Sequence, residues 1–279
     1  MKGPESVRDL LRVKPRARVT LGDIDPSATP GIRKAAARVE RDTDLETLRA
    51  LQERLYAEGK RSLLVVLQGT DTSGKDGAIE HVFASIDPQG VQVTGFKAPT
   101  AEELQHDFLW RVRPALPSLG RIGIFNRSHY EDVLIARVKG LVPEAVWSKR
   151  YGQIARFEKE VSASGTTIVK ICLLISPEEQ RERLLARLED PTKQWKFNPK
   201  DLDERARWSE YQVAYEVALS RTSTTAAPWY VVPANKKWYR DWAVGRILIE
   251  TLEEMDPRYP RTKLNIRALE ARLAPARSR

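Results

Sequence analysis

Between Gly69 and Gly77 the chain reads Gly69-Thr70-Asp71-Thr72-Ser73-Gly74-Lys75-Asp76-Gly77. Gly69, Gly74 and Lys75 have the spacing G-x-x-x-x-G-K of a phosphate-binding P-loop. Glycines let successive backbone N–H groups turn inward around phosphate oxygens, and a helix starting at the loop's end adds a favourable dipole. Lys75 would bridge phosphates as a point charge. Asp76 departs from the pattern, because Ser or Thr normally holds the magnesium from that position. A carboxylate beside phosphates repels them unless it faces away or a cation intervenes. Asp71, inside the loop, therefore makes sense at a Mg²⁺ ion or in positioning an attacking phosphate oxygen.

A second cluster spans Arg121 to Asp132. Asn126 stands at a strand end, where an acid usually organises the metal of a P-loop fold; it could ligate weakly or only hydrogen-bond. Arg127 follows at once, placed to neutralise charge on a transferred phosphoryl group. Glu131 and Asp132 read either as site acids or as ordinary helix-capping residues. His129 has no carboxylate partner evident in the sequence, so a phosphohistidine is not the expectation. A third segment, 187–202, carries Arg187, Lys193, Lys196 and Lys200 between two helices, where P-loop kinases hold a lid. These cations could close over phosphates and exclude water. Asp201 is either an N-cap or a site carboxylate, and Trp195 and Phe197 either pack under the lid or stack on a base.

Several elements must position these groups. Leu63–Leu67, Val91–Phe96, Arg121–Phe125, Thr167–Ile175 and Trp229–Val232 are short apolar runs suited to buried strands. Helical patterns separate or flank them: Leu45, Leu48, Leu51 and Leu55 ended by Gly59, then Asp76–Ser85, Ala101–Val112, Pro143–Ser162, Pro177–Leu188, Leu202–Ser220 and Trp238–Met255. Pro143 and Pro177 suit first helical turns. Continuous apolar strands alternating with helices argue for a parallel sheet covered on both faces. Residues 1–60 read as an irregular arm and helical extension, 61–255 as an α/β core with its lid near 187–210, and 256–279 as a basic tail.

Composition excludes several classes. The 279 residues carry 47 Lys and Arg against 38 Asp and Glu, a net charge of +9, with 41% hydrophobic residues. That is core enough to exclude dominant disorder. No apolar stretch is long enough to span a membrane, and the first residues are too polar for a signal-peptide core. One cysteine, Cys172, rules out an intrachain disulfide or a multi-cysteine zinc site and makes a reducing, cytoplasmic setting the default. Seven of the cations but only one acid, Glu270, fall between Arg258 and Arg279, so the remaining chain is nearly balanced. A purely electrostatic nucleic-acid binder is thereby disfavoured.

The motifs LLVVLQGTDTSGKDG (63–77), VTGFKAPTAEELQHDFLWR (93–111), IGIFNRSHYEDVLIARV (122–138), RLEDPTKQWKFNPKDLDERARWSEYQ (187–212) and PANKKWYRDWA (233–243) together resemble the family 2 polyphosphate kinases. The FNRSHYED and DIDPSATPG (23–31) segments look most like the class III group, which is associated with phosphorylating both nucleoside mono- and diphosphates. Thr72 and Ser73 replace two alanines usual in the family loop. Asn126 stands where many members carry Asp. The resemblance implies a P-loop kinase-like three-layer α/β/α fold with a five-stranded parallel sheet and a helical lid. It implies Mg²⁺ as cofactor, with Mn²⁺ as a substitute, and inorganic polyphosphate and purine nucleotides as partners, with frequent homo-oligomerisation as dimer or tetramer.

Carried over by position, the resemblance makes Asp71, Lys75, Arg127, Arg187 and Asp201 the catalytic set, and Asp71 and Asn126 the metal-side residues. Gly69, Thr72, Ser73, Gly74, Asp76 and Gly77 would bind phosphate through the loop. Asn126 and Glu131 would bear on nucleotide selectivity, and Lys97, Lys193, Lys196, Lys236 and Arg240 on polyphosphate or nucleotide phosphates. A nucleoside or nucleotide kinase using ATP as donor shares the loop and lid. A non-catalytic polyanion-binding module is the remaining rival.

Overall fold

The computed structural model describes residues 6–273. Five strands, β1 (Ser62–Gln68), β2 (Val91–Gly95), β3 (Ile122–Asn126), β4 (Thr166–Leu174) and β5 (Trp229–Pro233), pair in parallel in the order β2-β3-β1-β4-β5. The helices are α1 (Val7–Leu11), α2 (Lys34–Glu58), α3 (Lys75–Val82), α4 (Ile135–Val138), α5 (Glu144–Ala163), α6 (Pro177–Glu189), α7 (Lys200–Ala206), α8 (Trp208–Thr222), α9 (Lys237–Met255) and α10 (Ile266–Leu273).

Every residue of β1 is buried because both faces of the sheet are covered. Leu63, Val65 and Leu67 point into a layer shared with α2, α3 and α9, while Leu64 and Val66 point into the opposite layer with α5 and α8. The period-two alternation of a strand thus feeds two separate cores. All five strand expectations stand. Gly59 ends α2 in the left-handed region, at φ 62°, where the missing Cβ removes the steric penalty. The arm is less irregular than its composition suggests. It holds α1, and Val13 N–H donates to Trp229 O at 2.8 Å, closing the exposed edge of β5.

Two helical expectations need correction. Ala101–Val112 is not an α-helix but a series of tight turns. Thr100 and Glu103 form a reciprocal cap, with Glu103 N–H donating to Thr100 Oγ1 at 3.2 Å and Thr100 N–H to Glu103 Oε2 at 2.8 Å. Asp107 then accepts from Leu109 N–H at 3.0 Å and starts a second turn. These local side-chain bonds outcompete helix propagation despite the apolar spacing. The expected Leu202–Ser220 helix is two helices, α7 and α8, broken at Arg207. Pro143 sits at the N-cap, one residue before α5, whereas Pro177 occupies the first position of α6. In the tail, α10 is exposed throughout, and Arg277 and Arg279 lie outside the described residues.

The strand order places β3 and β4 on either side of β1, so the connections leaving β1 and β3 diverge. Ligands bind at such a switch point, beyond the carboxyl ends of the strands. Here those ends are Gln68 and Asn126, and Leu67 is in register with Asn126. Leu55, fully buried, pins α2 to the face that carries α3. Leu55→Ala should cost about 2–5 kcal/mol, seen as a lower urea midpoint with an unchanged m-value.

Candidate active site

The loop between β1 and α3 is shaped by steric limits and by bracing. A Cβ on Gly69 would lie 2.7 Å from Leu173 O and 2.6 Å from Ser73 Oγ, so only glycine fits. Three carbonyls of the loop are taken from outside by α6. Arg183 donates from Nη1 to Thr72 O at 2.9 Å and to Ser73 O at 3.1 Å, and Gln180 Nε2 donates to Asp71 O at 3.1 Å. Arg183 also reaches Ala234 O and Asn235 O at 2.6 and 3.0 Å, tying the loop to the end of β5. In a trans peptide N–H and C=O point oppositely. Turning these carbonyls toward α6 therefore aims the amides of Thr72 and Gly74 the other way, where an anion can take them. Thr72 has φ 63°, a strained value for a β-branched residue. The buried hydroxyls of Thr70 and Thr72 have no partner among the described residues.

Lys75 is nearly buried and curls back onto its own loop. Its Nζ donates to Gly69 O at 2.7 Å and Thr70 O at 3.1 Å. Burial, reinforced by the cationic Arg127, lowers its pKa to about 8. Arg127 follows β3 with φ 61°, held by its N–H to Leu67 O at 3.1 Å. Its guanidinium lies between two carboxylates, bonding to Asp71 and, at 3.4 Å, to Glu131. Glu131 foremost, then Asp71, raises its pKa above the ordinary arginine value against the cost of burial. Asn126 does not stand alone as a metal ligand, since its Nδ2 donates to Asp76 Oδ1 at 2.6 Å.

The lid lies across from this loop. Arg187, at the end of α6, is 3.8 Å from Asp201 Oδ2 and donates to Lys196 O at 3.3 Å. Burial and the facing charge of Asp71 raise the pKa of Asp201. Between loop and lid is a cleft of about 300 Å³ lined by Gly69, Asp71, Arg127, Glu131 and Asp201 together with Leu134, Lys139, Lys200, Glu204, Trp208, Tyr211 and Tyr215. Its polar loop side suits phosphates and its aromatic side suits a flat base. A second groove, of about 340 Å³, lies behind α3 between α2 and α9 and holds none of these groups.

The structure therefore gathers Gly69, Asp71, Lys75, Arg127, Glu131, Arg187 and Asp201, with Thr72, Ser73, Gly74, Asp76 and Asn126 around the loop. It does not gather the peripheral cations. Lys193 is an exposed partner of Asp190, and Lys196 lies over the ring of Trp195, itself exposed at the lid tip. Lys97 and Lys236 are exposed outside the cleft. Arg240 is buried behind the loop, paired with Asp241, and a Cβ on Gly74 or Gly77 would strike its guanidinium. It packs against those glycines instead of facing the cleft. His129, read as lacking a carboxylate, lies 3.4 Å from Glu158 Oε1. Sequence reasoning missed Arg183, Gln180, Lys139, Glu204 and the aromatic wall. Tyr211 and Tyr215, four apart on α8, were a legible signal; Lys139 gave none.

A glycine-rich loop at the end of the central strand of a parallel sheet, faced by an arginine and closed by a lid, defines a phosphotransferase of the P-loop kinase-like class. The family model for Polyphosphate kinase 2 matches residues 32–260. The chain is 51% identical over 251 residues to an AMP/ADP-polyphosphate phosphotransferase of Meiothermus ruber, covering 89% of this chain and 94% of that protein. It is 48% identical over 232 residues to an ADP-polyphosphate phosphotransferase of Rhodopseudomonas palustris, covering 79% and 80%. The crystal structure of Polyphosphate Kinase 2 from Arthrobacter aurescens superposes with a TM-score of 0.93 at 45% identity over 98% of both chains. The chain belongs to the polyphosphate kinase 2 family and is a polyphosphate-dependent nucleotide phosphotransferase.

Two outcomes follow for the loop. Above about pH 8 the free Lys75 is largely neutral, and a polyanion favours the ammonium, so binding must take up a proton. Calorimetry with tripolyphosphate in two buffers should show uptake at about pH 9 and much less at about pH 7, lost in Lys75→Met, with affinity falling as pH rises. Arg127→Gly relieves the left-handed backbone, so its Tm should hold or rise while kcat drops about 100-fold.

Proposed function

We propose that this chain transfers phosphoryl groups directly and reversibly, in line, between the end of an inorganic polyphosphate chain and both nucleoside mono- and diphosphates, converting AMP to ADP and ADP to ATP. The observation that carries this reading is the site's charge arrangement. Lys75 and Arg127 converge at the loop mouth among the carboxylates Asp71, Glu131 and Asp201, and the described residues lining the cleft include no histidine, serine or cysteine. The attacking group is a phosphate oxygen, already ionised at neutral pH, so the chemistry needs alignment and charge neutralisation instead of a strong base.

Lys75 would hold the phosphates at the loop, Arg127 would take the transferred group's developing charge, and Arg187 would approach it from the lid. The donor set suits magnesium. No group of three metal-binding side chains occurs among the described residues, and Mg²⁺ is ordinarily held by one or two carboxylates together with substrate phosphates. Asp71 would hold the ion, with Asp201 facing it: burial first, and then the charge of Asp71, raises the pKa of Asp201, and a bound cation would offset both. Asn126 would contribute through its carbonyl oxygen. The bound ion would neutralise phosphate charge during transfer.

We also read residues 61–255 as the catalytic core and the protein as a cytoplasmic homo-oligomer, a dimer or tetramer. No helix of the described residues is long and apolar enough to cross a membrane, and exposed apolar side chains such as Val39, Leu264 and Leu273 offer contact area for further copies.

The decisive experiment is the time course of products from AMP, polyphosphate and Mg²⁺. ADP followed by ATP supports the reading. ADP alone rejects use of both phosphorylation levels, and no product above the Lys75→Ala background rejects the activity. Lys75→Ala should lose at least about 100-fold in kcat, and chelation of the metal should abolish turnover.

A further inference from the structure

Behind the turn that follows Arg127, a lysine and a glutamate are sealed inside the protein. Lys170 is 0% exposed and Glu158 2%. Lys170, on β4, sits among the buried apolar residues Ile168, Val169, Ile171 and Cys172. Its Nζ donates to Glu158 Oε2 at 2.6 Å, to Tyr130 OH at 2.9 Å and to Thr222 O at 2.8 Å, and Tyr130 O–H donates to Glu158 Oε1 at 2.8 Å. Burial pushes the Lys170 pKa down, and it opposes the Lys170 and His129 interactions that hold Glu158 below its usual range.

Such a pair does not earn its place through stability. Two charges lose more solvation on burial than their attraction returns, and well-packed apolar residues in their stead are often neutral or stabilising. Tyr130 belongs to the turn His129–Asp132, whose opposite side presents Glu131 to Arg127. Arg127 itself occupies the left-handed region at φ 61°. A strained residue keeps that conformation only where its surroundings over-determine it, and the phenol of Tyr130 ties the turn to three elements, β4, α5 and α8.

We propose that the buried Lys170–Glu158 pair, acting through Tyr130, fixes the turn whose Glu131 holds Arg127 toward the transferred phosphoryl group, which makes Tyr130, Glu158 and Lys170 positioning residues for the reaction. This rests on the reading of Arg127 given above. Because Arg127 acts on charge that develops during transfer, loosening its seat lowers kcat and leaves KM nearly unchanged.

The test compares Tyr130→Phe, which cuts the link but leaves the ion pair, with the apolar triple variant Tyr130→Phe/Glu158→Leu/Lys170→Met, each in wild-type and Arg127→Gly backgrounds. Tm should stay within about 3 °C of wild type or rise in the triple variant. With ADP and polyphosphate, kcat should fall about tenfold in Tyr130→Phe and about 100-fold in the triple variant, with both KM values within about twofold. In the Arg127→Gly background neither change should cost anything further. Wild-type kcat in Tyr130→Phe, or losses that simply multiply with that of Arg127→Gly, would overturn the proposal. Should the triple variant not fold, Tyr130→Phe alone decides. Wild-type turnover by Arg127→Gly would overturn the assignment of Arg127 itself, an outcome separate from the others.

Discussion

One guanidinium organises this protein. Arg127 stands at the carboxyl end of β3, in a backbone conformation that ordinary side chains avoid, with Asp71 on one side and Glu131 on the other. Asp71 reaches it from the loop after the neighbouring strand, which is possible because β1 and β3 run parallel with Leu67 and Asn126 in register. A slip of one residue would send those side chains to opposite faces of the sheet. The sheet's topology, the glycine-rich loop and the following turn thus converge on a single contact.

The supports around that contact come in layers. Nearest are Lys75, folded onto carbonyls of its own loop, and Asn126, bonded to Asp76. Behind the loop, Arg183 grips two stretches of chain at once, and Arg240 fills the space that side chains at Gly74 and Gly77 would need. Arg183, Gln180 and Arg187 all belong to α6, so the helix that shapes the loop's back also carries the lid. A tilt of α6 would therefore reach both the loop and the lid.

Much of this was legible in the sequence. The five strands announced themselves because a doubly covered parallel sheet needs unbroken apolar runs, and the loop because glycine and lysine spacing is a backbone requirement. The stretch Ala101–Val112 misled because its apolar spacing is genuine while Thr100 and Asp107 spend their oxygens on local caps. Basic residues were the poorest guide. Lys193 and Lys196 have the right charge but remain on the outside of the lid, whereas Arg183 and Arg240 serve backbone carbonyls and glycines. Sequence reports that a cation exists; only packing tells whether it faces a ligand. Glu158 and Lys170, twelve residues apart, look like ordinary helix and strand polarity until β4 and α5 are stacked.

The self-satisfied state of Lys75 and Arg127 has a consequence for selectivity. Both cations already have oxygen partners when no substrate is present, so a ligand enters by exchange instead of filling an empty field. A chloride or a lone carboxylate would bring too little charge to replace the oxygen contacts that the two cations make. A chain of adjacent phosphates supplies several anionic oxygens within one short span and would replace several of these partners together. If Lys75 and Arg127 take the phosphates as proposed, a site so arranged would favour densely charged anions over singly charged ones.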